Sequence, residues 1–533
     1  MTRGLSIVVP TAVLLACLIG RGSAVPPHPD PVHAASSQDN PEGDECRECH
    51  TAEVDGYQRT RMAHSMRVAA HEPAGVVHAP EATIRMDSDK NGSWQTIESH
   101  DTSLRYRADY VVGSGTHAYG FITVLDGHLF QSPVAWYRNR SAYGLAPGFE
   151  NIRDPDFTRP VTADCLFCHA GAFNAIAGTE NQYASVPFSH LSIGCSRCHG
   201  PTASHLENPD ASNIVNPEQL APAARDSICE QCHLKGVARV PNPGLRITDF
   251  VPGQPLEQTF TVYREQPPPG TQPSFRVISQ SEQLALSLCK RASGDRMWCG
   301  TCHDPHVTPP DRVAWFRSRC LQCHAGTRFP ASHPARSSNC IGCHMPQKEA
   351  QDGGHTVFTD HRIQRRPDYS EDSPSGDITP WREPPPQFAR RNLGIALIEN
   401  GMERGVPARM VQGYRILAEV QQEFPQDSDM YAALGNVLLI GRQYDEAAQA
   451  FALAVRYDPH SSSKEASLGA AFASDGQRSL AEQHLGKALQ LDPLNLSAAS
   501  LLLDIYRDTG ENEQADQLAR RINGVLHSVA AHP

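Results

Sequence analysis

The sequence predicts a mainly α-helical protein of two unlike parts, a Cys- and His-rich region with sparse secondary structure followed by an α-solenoid. The first part is predicted from the pentapeptide Cys-x-x-Cys-His, which occurs seven times between residues 46 and 344. The second part is predicted from a 34-residue period beyond residue 389, where no Cys occurs. At 533 residues the chain is long enough to form several domains.

The N-terminus has the pattern of a secretory signal peptide over residues 1–24. Arg3 precedes an apolar run over residues 5–20, and small residues follow at 22–24. No later segment has the roughly 18 apolar residues of a membrane-spanning helix, so we expect a soluble, exported, periplasmic protein without a transmembrane span. An alternative is lipoprotein-like cleavage after residues 14–16, which would leave a lipid anchor on Cys17.

The overall charge disfavours one class of partner. The chain has 47 basic and 59 acidic residues and a formal net charge of −12, and its basic residues are not clustered. A phosphate backbone requires a concentrated positive surface, so nucleic acid is excluded as a partner.

The seven pentapeptides use 14 of the 16 Cys residues. Two thiols three positions apart can add across the two vinyl groups of one haem, and the adjacent His can ligate its iron. Zinc knuckles and disulfides also use paired Cys, but neither needs a His directly after the second Cys. The sequence therefore predicts seven covalently attached haem c groups. Their thiols and proximal imidazoles are Cys46, Cys49 and His50; Cys165, Cys168 and His169; Cys195, Cys198 and His199; Cys229, Cys232 and His233; Cys299, Cys302 and His303; Cys320, Cys323 and His324; Cys340, Cys343 and His344.

A second axial ligand decides whether a haem only transfers electrons or also binds a substrate. Between Cys46 and His361 there are 19 His, which leaves twelve beyond the proximal ones, enough for seven bis-His haems. These twelve are His64, His71, His78, His100, His117, His128, His190, His205, His306, His333, His355 and His361.

Five of these His and one Met are singled out as distal ligands. His205 and His306 each follow a motif across a turn stiffened by Pro. Met62 lies shortly after the first motif, where it either competes with His64 as a ligand or packs in a core. The full set is His306, His205, His117, His355, His361 and Met62.

The motifs predict a seven-haem cytochrome c domain over residues 40–363. About 43 residues per haem cannot bury each cofactor separately, so we expect haems packed together with short helices around the motifs. Alternating sequence over 81–150 predicts a small antiparallel β insertion, with a hairpin turn at Asp126 and Gly127. One or two further strands are expected within 236–280.

A polar, Pro-rich linker is predicted over 364–388, followed by tetratricopeptide repeats over 389–533. The period aligns two sets of residues: Leu434, Gly435, Ala447, Phe451, Ala454 and Pro459 with Leu468, Gly469, Ala481, Leu485, Ala488 and Pro493. An earlier unit is predicted with seven extra residues between its helices, and a degenerate one follows the pair. Such an array presents a face for a peptide or protein, or else caps the haem domain structurally.

The chain resembles a family of exported bacterial multihaem cytochromes c that end in tetratricopeptide repeats. Its haem part is similar to the group that includes the tetrahaem cytochrome that partners hydroxylamine oxidoreductase. Seven motifs depart from the four of that relative, so its particular partner is not carried over. The matching stretches are VGSGTH at 112–117, CSRCHGP at 195–201, IVNP at 214–217, CEQCHL at 229–234, CGTCHDPH at 299–306 and CIGCHMP at 340–346.

Three functions are consistent with these features. The first is electron transfer through the seven haems between redox protein partners, with the repeats docking a partner. The second is reduction or oxidation of nitrite, hydroxylamine, nitric oxide or a sulfur oxyanion at one five-coordinate haem, lined by residues such as Tyr106, Tyr110, Tyr119, Tyr137 and Arg138. The third is a scaffold or sensor in which the repeats are the functional end.

Overall fold

The computed structural model describes residues 43–100, 102–266, 275–329, 331–334, 338–365 and 376–526. The predicted signal peptide and Cys17 lie outside these ranges. Within them, no helix is both long enough and apolar enough to cross a membrane.

Two antiparallel sheets follow a pair of short helices. The sheets have the strand orders β2-β3-β4-β5 and β1-β6-β7-β8-β9. The elements are α1 (Asp44–Arg47), α2 (Thr51–Tyr57), β1 (Met66–Val68), β2 (Gly75–His78), β3 (Ala82–Asp89), β4 (Gly92–Ser99), β5 (Thr102–Ala108), β6 (Tyr110–Val112), β7 (Ala118–Leu125), β8 (His128–Tyr137) and β9 (Ala142–Leu145).

The β7–β8 hairpin turns at Asp126 and Gly127, as the Asp-Gly pair predicts. Their φ angles of 48° and 76° are both positive, as in a turn whose twist matches that of the flanking strands. The β region nevertheless begins at Met66 and is larger than the small insertion predicted over 81–150. The strands β1 and β2 are only three and four residues long, too short to show a clear alternation in the sequence.

The middle of the chain has short helices and small two- or three-stranded sheets. Helices α9, α10 and α11 contain no fully buried side chain among their described residues. The elements are α3 (Ala163–His169), β10 (Ala172–Ala175), β11 (Tyr183–His190), α4 (Ser196–His199), α5 (Ala203–Glu207), α6 (Pro222–His233), β12 (Ala238–Pro241), β13 (Phe260–Gln266), α7 (Gln280–Leu286), α8 (Leu288–Ser293), α9 (Cys299–Cys302), α10 (Arg312–His324), α11 (Cys340–His344), β14 (Gln347–Glu349) and β15 (Val357–Thr359).

The segment predicted as a linker is structured in its second half. Strand β16 (Asp377–Pro380) pairs with β13 and completes the sheet β12-β13-β16. Directly after it, the Arg382 guanidinium forms ion pairs with Glu230 and Glu257. The linker prediction is therefore wrong for residues 376–388, because distant buried carboxylates that local composition does not reveal hold this segment in place. Residues 366–375 lie outside the described ranges.

Eight helices form the C-terminal array within the described residues, as four antiparallel pairs. They are α12 (Ala389–Arg404), α13 (Pro407–Val420), α14 (Ser428–Ile440), α15 (Tyr444–Tyr457), α16 (Ser462–Ser474), α17 (Arg478–Leu491), α18 (Leu496–Asp508) and α19 (Asn512–Leu526).

The helix pairs have the close approach that the repeat period predicts. A Cβ atom on Gly435 would lie 2.8 Å from the Phe451 ring, and one on Gly469 would lie 2.7 Å from Leu485. The tetratricopeptide-like repeat is therefore confirmed. Only residues 405–406 separate α12 from α13, so the seven extra residues do not lie in the turn between these helices. They are divided between α12, which has 16 residues against 13 in α14, and the longer segment 421–427 that follows α13.

The repeats share hydrophobic cores with the preceding sheets. Val240 and Tyr263 pack in one core with residues of α12 to α16, and β-sheet residues pack in another with residues of α16 to α19. Polar contacts reinforce this packing, since the fully buried Arg391 side chain pairs with Asp427 and donates to the Pro241 carbonyl. The two parts of the chain are thus joined by extensive buried contacts.

Candidate functional site

All seven Cys-x-x-Cys-His motifs lie in or at the end of a helical turn. The helices are α1, α3, α4, α6, α9, α10 and α11. Residues three apart lie on one face of a helix, so the two thiols of each motif project to the same side. No disulfide joins the Cys residues that the structure describes, and each of them is at least partly accessible. Nor does any group of three His, Cys, Asp or Glu side chains converge there as in a zinc knuckle.

Four motif imidazoles each face a second imidazole at a nearly constant distance. A bond between a metal ion and an imidazole nitrogen is about 2 Å long, so two imidazoles on opposite sides of one ion have ring centroids about 6.3 Å apart. The observed separations are 6.0–6.4 Å, with interplanar angles of 14–31°. The pairs are His50 with His205, His199 with His306, His303 with His361, and His344 with His333.

Backbone carbonyl groups orient most of these rings. In five of them Nδ1 lies 2.8–3.0 Å from a carbonyl oxygen, so Nδ1 donates and Nε2 is left with a lone pair to bind a metal ion. The five imidazole–acceptor pairs are His199 with Val215, His205 with Asp210, His333 with Pro334, His344 with Gln364, and His361 with Thr359.

The structure places imidazoles from distant parts of the chain opposite the motif imidazoles. His306 lies three residues after its own motif histidine, yet it faces His199 of another motif. Helix α2 packs against this segment through Gly56, where a Cβ atom would lie 2.0 Å from the His306 carbonyl oxygen. Any other residue at position 56 would displace the His306 backbone.

Electrostatics also favour the neutral, metal-binding form of the paired imidazoles. The His303 side chain remains accessible, but the surrounding protein displaces enough water to lower its pKa to about 4, helped by the charges of His361, His233 and Arg312. Burial likewise lowers the pKa of His199 and of His361. A neutral ring keeps the lone pair that a metal ion needs.

Other predicted ligands have different neighbours. The His117 ring lies 4.7 Å from the Phe358 ring, and the His355 ring lies 5.2 Å edge-on to Tyr137. Met62 is partly buried in a short 3₁₀ helix, Met62–His64. Their roles as ligands stay predictions. His333 is one of the twelve additional His residues, but the sequence analysis did not single it out as a ligand. The only sequence feature that could have indicated it is its position nine residues after His324.

Three motif imidazoles, of His169, His233 and His324, form no ring pair with another imidazole in the described part of the chain. Burial lowers the pKa of His169 and His233, so these rings are also held in the neutral form. His324 has Nδ1 3.3 Å from the Thr327 hydroxyl.

The tyrosines suggested as the lining of an open haem position instead pack in the sheets. Tyr106 and Tyr110 are buried against Phe157 and Phe188. Tyr137 is fully buried and donates to the Leu145 carbonyl at 2.7 Å. Only Arg138 of that suggested set is exposed.

Comparison with known proteins finds similarity only among solved structures. No protein-family model and no curated protein matches the chain. A structure of MamA from MSR-1 is 20% identical with a TM-score of 0.23 and covers 26% of this chain and 76% of its own. MamA from Desulfovibrio magneticus RS-1 is 20% identical with a TM-score of 0.24, covering 27% and 86%. The first TPR domain of human RPAP3 is 16% identical with a TM-score of 0.21, covering 23% and 97%.

Proposed function

We propose that this protein is an exported multihaem c-type cytochrome that carries seven haems and transfers electrons between redox proteins. The observation that carries the proposal is the set of four imidazole pairs at 6.0–6.4 Å, each built on the His of a Cys-x-x-Cys-His motif.

The residues around these pairs fit a haem. Each motif offers two thiols outside any disulfide beside the imidazole of its His, which suits two thioether bonds and one axial bond. Helix α10 turns Phe316 edge-on to the His303 ring at 5.3 Å yet has no fully buried side chain, so its apolar face is available to a large flat apolar group. Haem bound there would accept and pass on single electrons.

The protein groups have distinct tasks in this proposal. The thiols anchor the cofactor, and the carbonyl groups that accept from Nδ1 fix each imidazole plane and raise its basicity. Axial ligand identity, burial and nearby charge set the potential of each site.

The test is a count of haem and of its axial ligation in the purified protein. Absorption of the alkaline pyridine adduct should give seven haems per chain, and low-temperature electron paramagnetic resonance should show at least four bis-imidazole low-spin centres. Replacing His333 with Ala should convert one centre, and His78→Ala, at an exposed strand position, should convert none. A protein without covalent haem would end the proposal.

A second function, turnover of a nitrogen or sulfur oxyanion at an open haem, is favoured by one observation. His169, His233 and His324 form no imidazole pair in the described residues, so up to three irons would have an open or differently occupied position. Titration with nitric oxide or cyanide distinguishes the two functions. A stoichiometric spectral change at one haem would favour catalysis, and no change at any haem would favour electron transfer alone.

We propose that the repeats dock a protein partner. A groove of about 540 Å³ lies between the loop 243–246 and the starts of α14 and α16, where Tyr457 and Lys464 line it. Deleting residues 389–533 would expose the shared core around Val240 and Tyr263, so point substitutions are the better test. Arg246→Ala with Tyr457→Ala should raise the KM for a purified donor protein about tenfold, while Arg520→Gln on α19 should leave it unchanged.

A further inference from the structure

The repeats hold one segment of their own chain at the turn between two helix pairs. The Ser462 backbone N–H, at the start of α16, donates to the Gly178 carbonyl at 2.9 Å. The Glu180 backbone N–H donates to an Asp492 carboxylate oxygen at 3.0 Å. The approach is close, because a Cβ atom on Gly178 would overlap the His460 carbonyl oxygen. One N–H and one carboxylate of the repeats therefore bind this extended segment.

The repeat period places the same two groups one repeat earlier. Ser428 and Asp458 lie 34 residues before Ser462 and Asp492. The two serines begin α14 and α16, and each hydroxyl donates to the carbonyl oxygen four residues before the corresponding Asp, at 2.7 and 3.0 Å. The two aspartates follow α15 and α17 with φ angles of −138° and −137°. The earlier turn thus has the same local structure as the turn that binds the segment.

At the earlier turn these two groups lack the partners that they have at the later one. Within the described ranges the Ser428 N–H has no hydrogen-bond acceptor, and Asp458 accepts on one oxygen only, from Lys464 Nζ at 2.9 Å. Both residues line the groove of about 540 Å³ beside the loop 243–246. The Asp492 side chain is fully buried, whereas that of Asp458 is 42% exposed. The site that is filled at one turn is open at the turn before it.

The groove carries more negative than positive charge. The ion pairs there join three carboxylates to two cations: Asp427 and Asp429 with Arg391, and Asp429 and Asp458 with Lys464. Arg246 on the opposite wall pairs with Asp249 at 2.8 Å, so it does not offset the remaining negative charge. The whole chain has a net charge of −12. A positively charged partner is therefore attracted both at long range and in contact.

We propose that this groove binds an extended, positively charged segment of a partner protein, in the register in which the next turn holds residues 178–180. A backbone carbonyl of the segment accepts from the Ser428 N–H, and a backbone N–H two residues later donates to Asp458. A Lys or Arg side chain supplies the charge that the groove lacks, and its stem lies along the Tyr457 ring. This inference rests on the proposed docking of a protein by the repeats and names the chemistry of that partner.

The first test compares two peptides on the full-length protein as purified. AGTENQ is the sequence of residues 177–182, and AGTKNQ has Lys in place of its Glu. Both are acetylated and amidated, so that their ends are uncharged, and are titrated calorimetrically. The parent should bind AGTKNQ at least about tenfold more tightly than AGTENQ. Asp458→Asn should abolish this preference, and Asp508→Asn, which removes an exposed carboxylate at the end of α18, should retain it.

The second test isolates the Ser428 N–H. Ser428 is the first residue of α14, and Asp427 before it has φ −86° and ψ 98°, so Pro fits at position 428 without disturbing the helix. Ser428→Ala is the matched control, because both variants lose the hydroxyl but only Ser428→Pro loses the N–H. After thermal melts show that both variants fold, Ser428→Pro should bind AGTKNQ about fivefold more weakly than Ser428→Ala.

Three results would overturn this inference: equal binding of the two peptides, binding of both weaker than about 1 mM, or equal affinity of the two Ser428 variants. The proposed docking has its own measurement, the KM for a purified donor protein. If Arg246→Ala with Tyr457→Ala raises that KM while the peptides show no charge preference, the groove docks a partner of other chemistry and only this inference fails. If the KM is also unchanged, the docking proposal fails with it.

Discussion

His128 and Asp492 form a buried hydrogen bond, 3.0 Å from Nε2 to Oδ1, between residues that are 364 positions apart. It joins the first residue of β8 to the turn before α18. His128 Nδ1 lies 3.0 Å from the Asp126 carbonyl oxygen, so both ring nitrogens face acceptors and both hydrogen bonds form only when each nitrogen carries a proton. The second Asp492 oxygen accepts from the Glu180 backbone N–H at 3.0 Å. This contact excludes His128 from the free histidines that could ligate a metal ion.

Replacing Asp492 with Asn should lower the free energy of unfolding by about 3 kcal/mol near pH 7, because it leaves a buried imidazole with a poorer partner. Burial alone would raise the Asp492 pKa, but hydrogen bonds from His128 and the Glu180 amide outweigh it, and the pKa is lowered. A lowered carboxyl pKa contributes stability above the unfolded value of about 4, and this stability is lost as pH falls through the folded value.

Denaturant titrations from pH 3 to pH 7 test this expectation. The difference between parent and Asp492→Asn should shrink below about pH 4. Asp508→Asn, at an exposed position at the end of α18, should change little at any pH. A difference that is constant down to pH 3 would show that the carboxylate charge is not the stabilising element.

Close helix contact in the repeats should make Gly435 intolerant of a side chain. Gly435→Ala places a methyl group 2.8 Å from the Phe451 ring and should cost about 1–3 kcal/mol of unfolding free energy. Gly486 is the matched control, since it lies inside α17 and a methyl group there would have no neighbouring atom within 4 Å. Gly486→Ala should stabilise by up to about 1 kcal/mol through helix propensity, and thermal melts that rank the two variants the other way round would contradict this helix packing.

The Arg391–Asp427 pair should depend on guanidinium geometry as well as charge. Arg391 donates to both Asp427 oxygens, at 2.7 and 2.9 Å, and is fully buried between the repeats and Pro241. Arg391→Lys keeps the charge but loses the fork, so we expect a loss of about 2–4 kcal/mol in chemical denaturation. The neighbouring Arg390→Lys, in an exposed pair with Glu419, should change stability by less than about 0.5 kcal/mol. Equal losses of unfolding free energy in the two variants would mean that the geometry of the buried pair adds no stability.

Thiol substitution should remove haems one motif at a time. Cys165→Ser with Cys168→Ser should lower the covalent haem content from seven to six per chain, measured by mass spectrometry of the intact protein. Cys289→Ser is the internal control, because Cys289 lies outside every motif and should leave seven. Loss of haem in the control alone would overturn the motif assignment.

If His199 and His306 bind the same iron, the effects of substituting them should not add. His306→Ala and His199→Ala should each alter the same low-spin centre, so the double variant should still alter only one. His306→Ala combined with His303→Ala should alter two, although these residues are three apart in sequence. Electron paramagnetic resonance counts the altered centres, and two altered centres in the first double variant would show that His306 and His199 do not share an iron.

Local signals account for the motifs, the repeats and the Asp-Gly hairpin. A Cys-x-x-Cys-His motif is complete within five residues, and Gly435 with Phe451 recurs in Gly469 with Leu485 because each helix pair repeats one packing unit. These features depend on neighbours in sequence, so the sequence indicates them directly. The short strands β1 and β2 escaped prediction because three or four residues cannot establish a period.

The amino-acid sequence alone determined that this chain has seven copies of the Cys-x-x-Cys-His motif and an array of paired helices after them. Only the folded chain decided that His205 faces His50, that His333 faces His344, and that Arg382 secures a segment whose composition is typical of a linker. The physical reason is that imidazole pairs and buried ion pairs join residues that packing brings together although they lie tens to hundreds of positions apart in sequence. The amino acids around one residue of such a pair therefore do not indicate which residue is its partner.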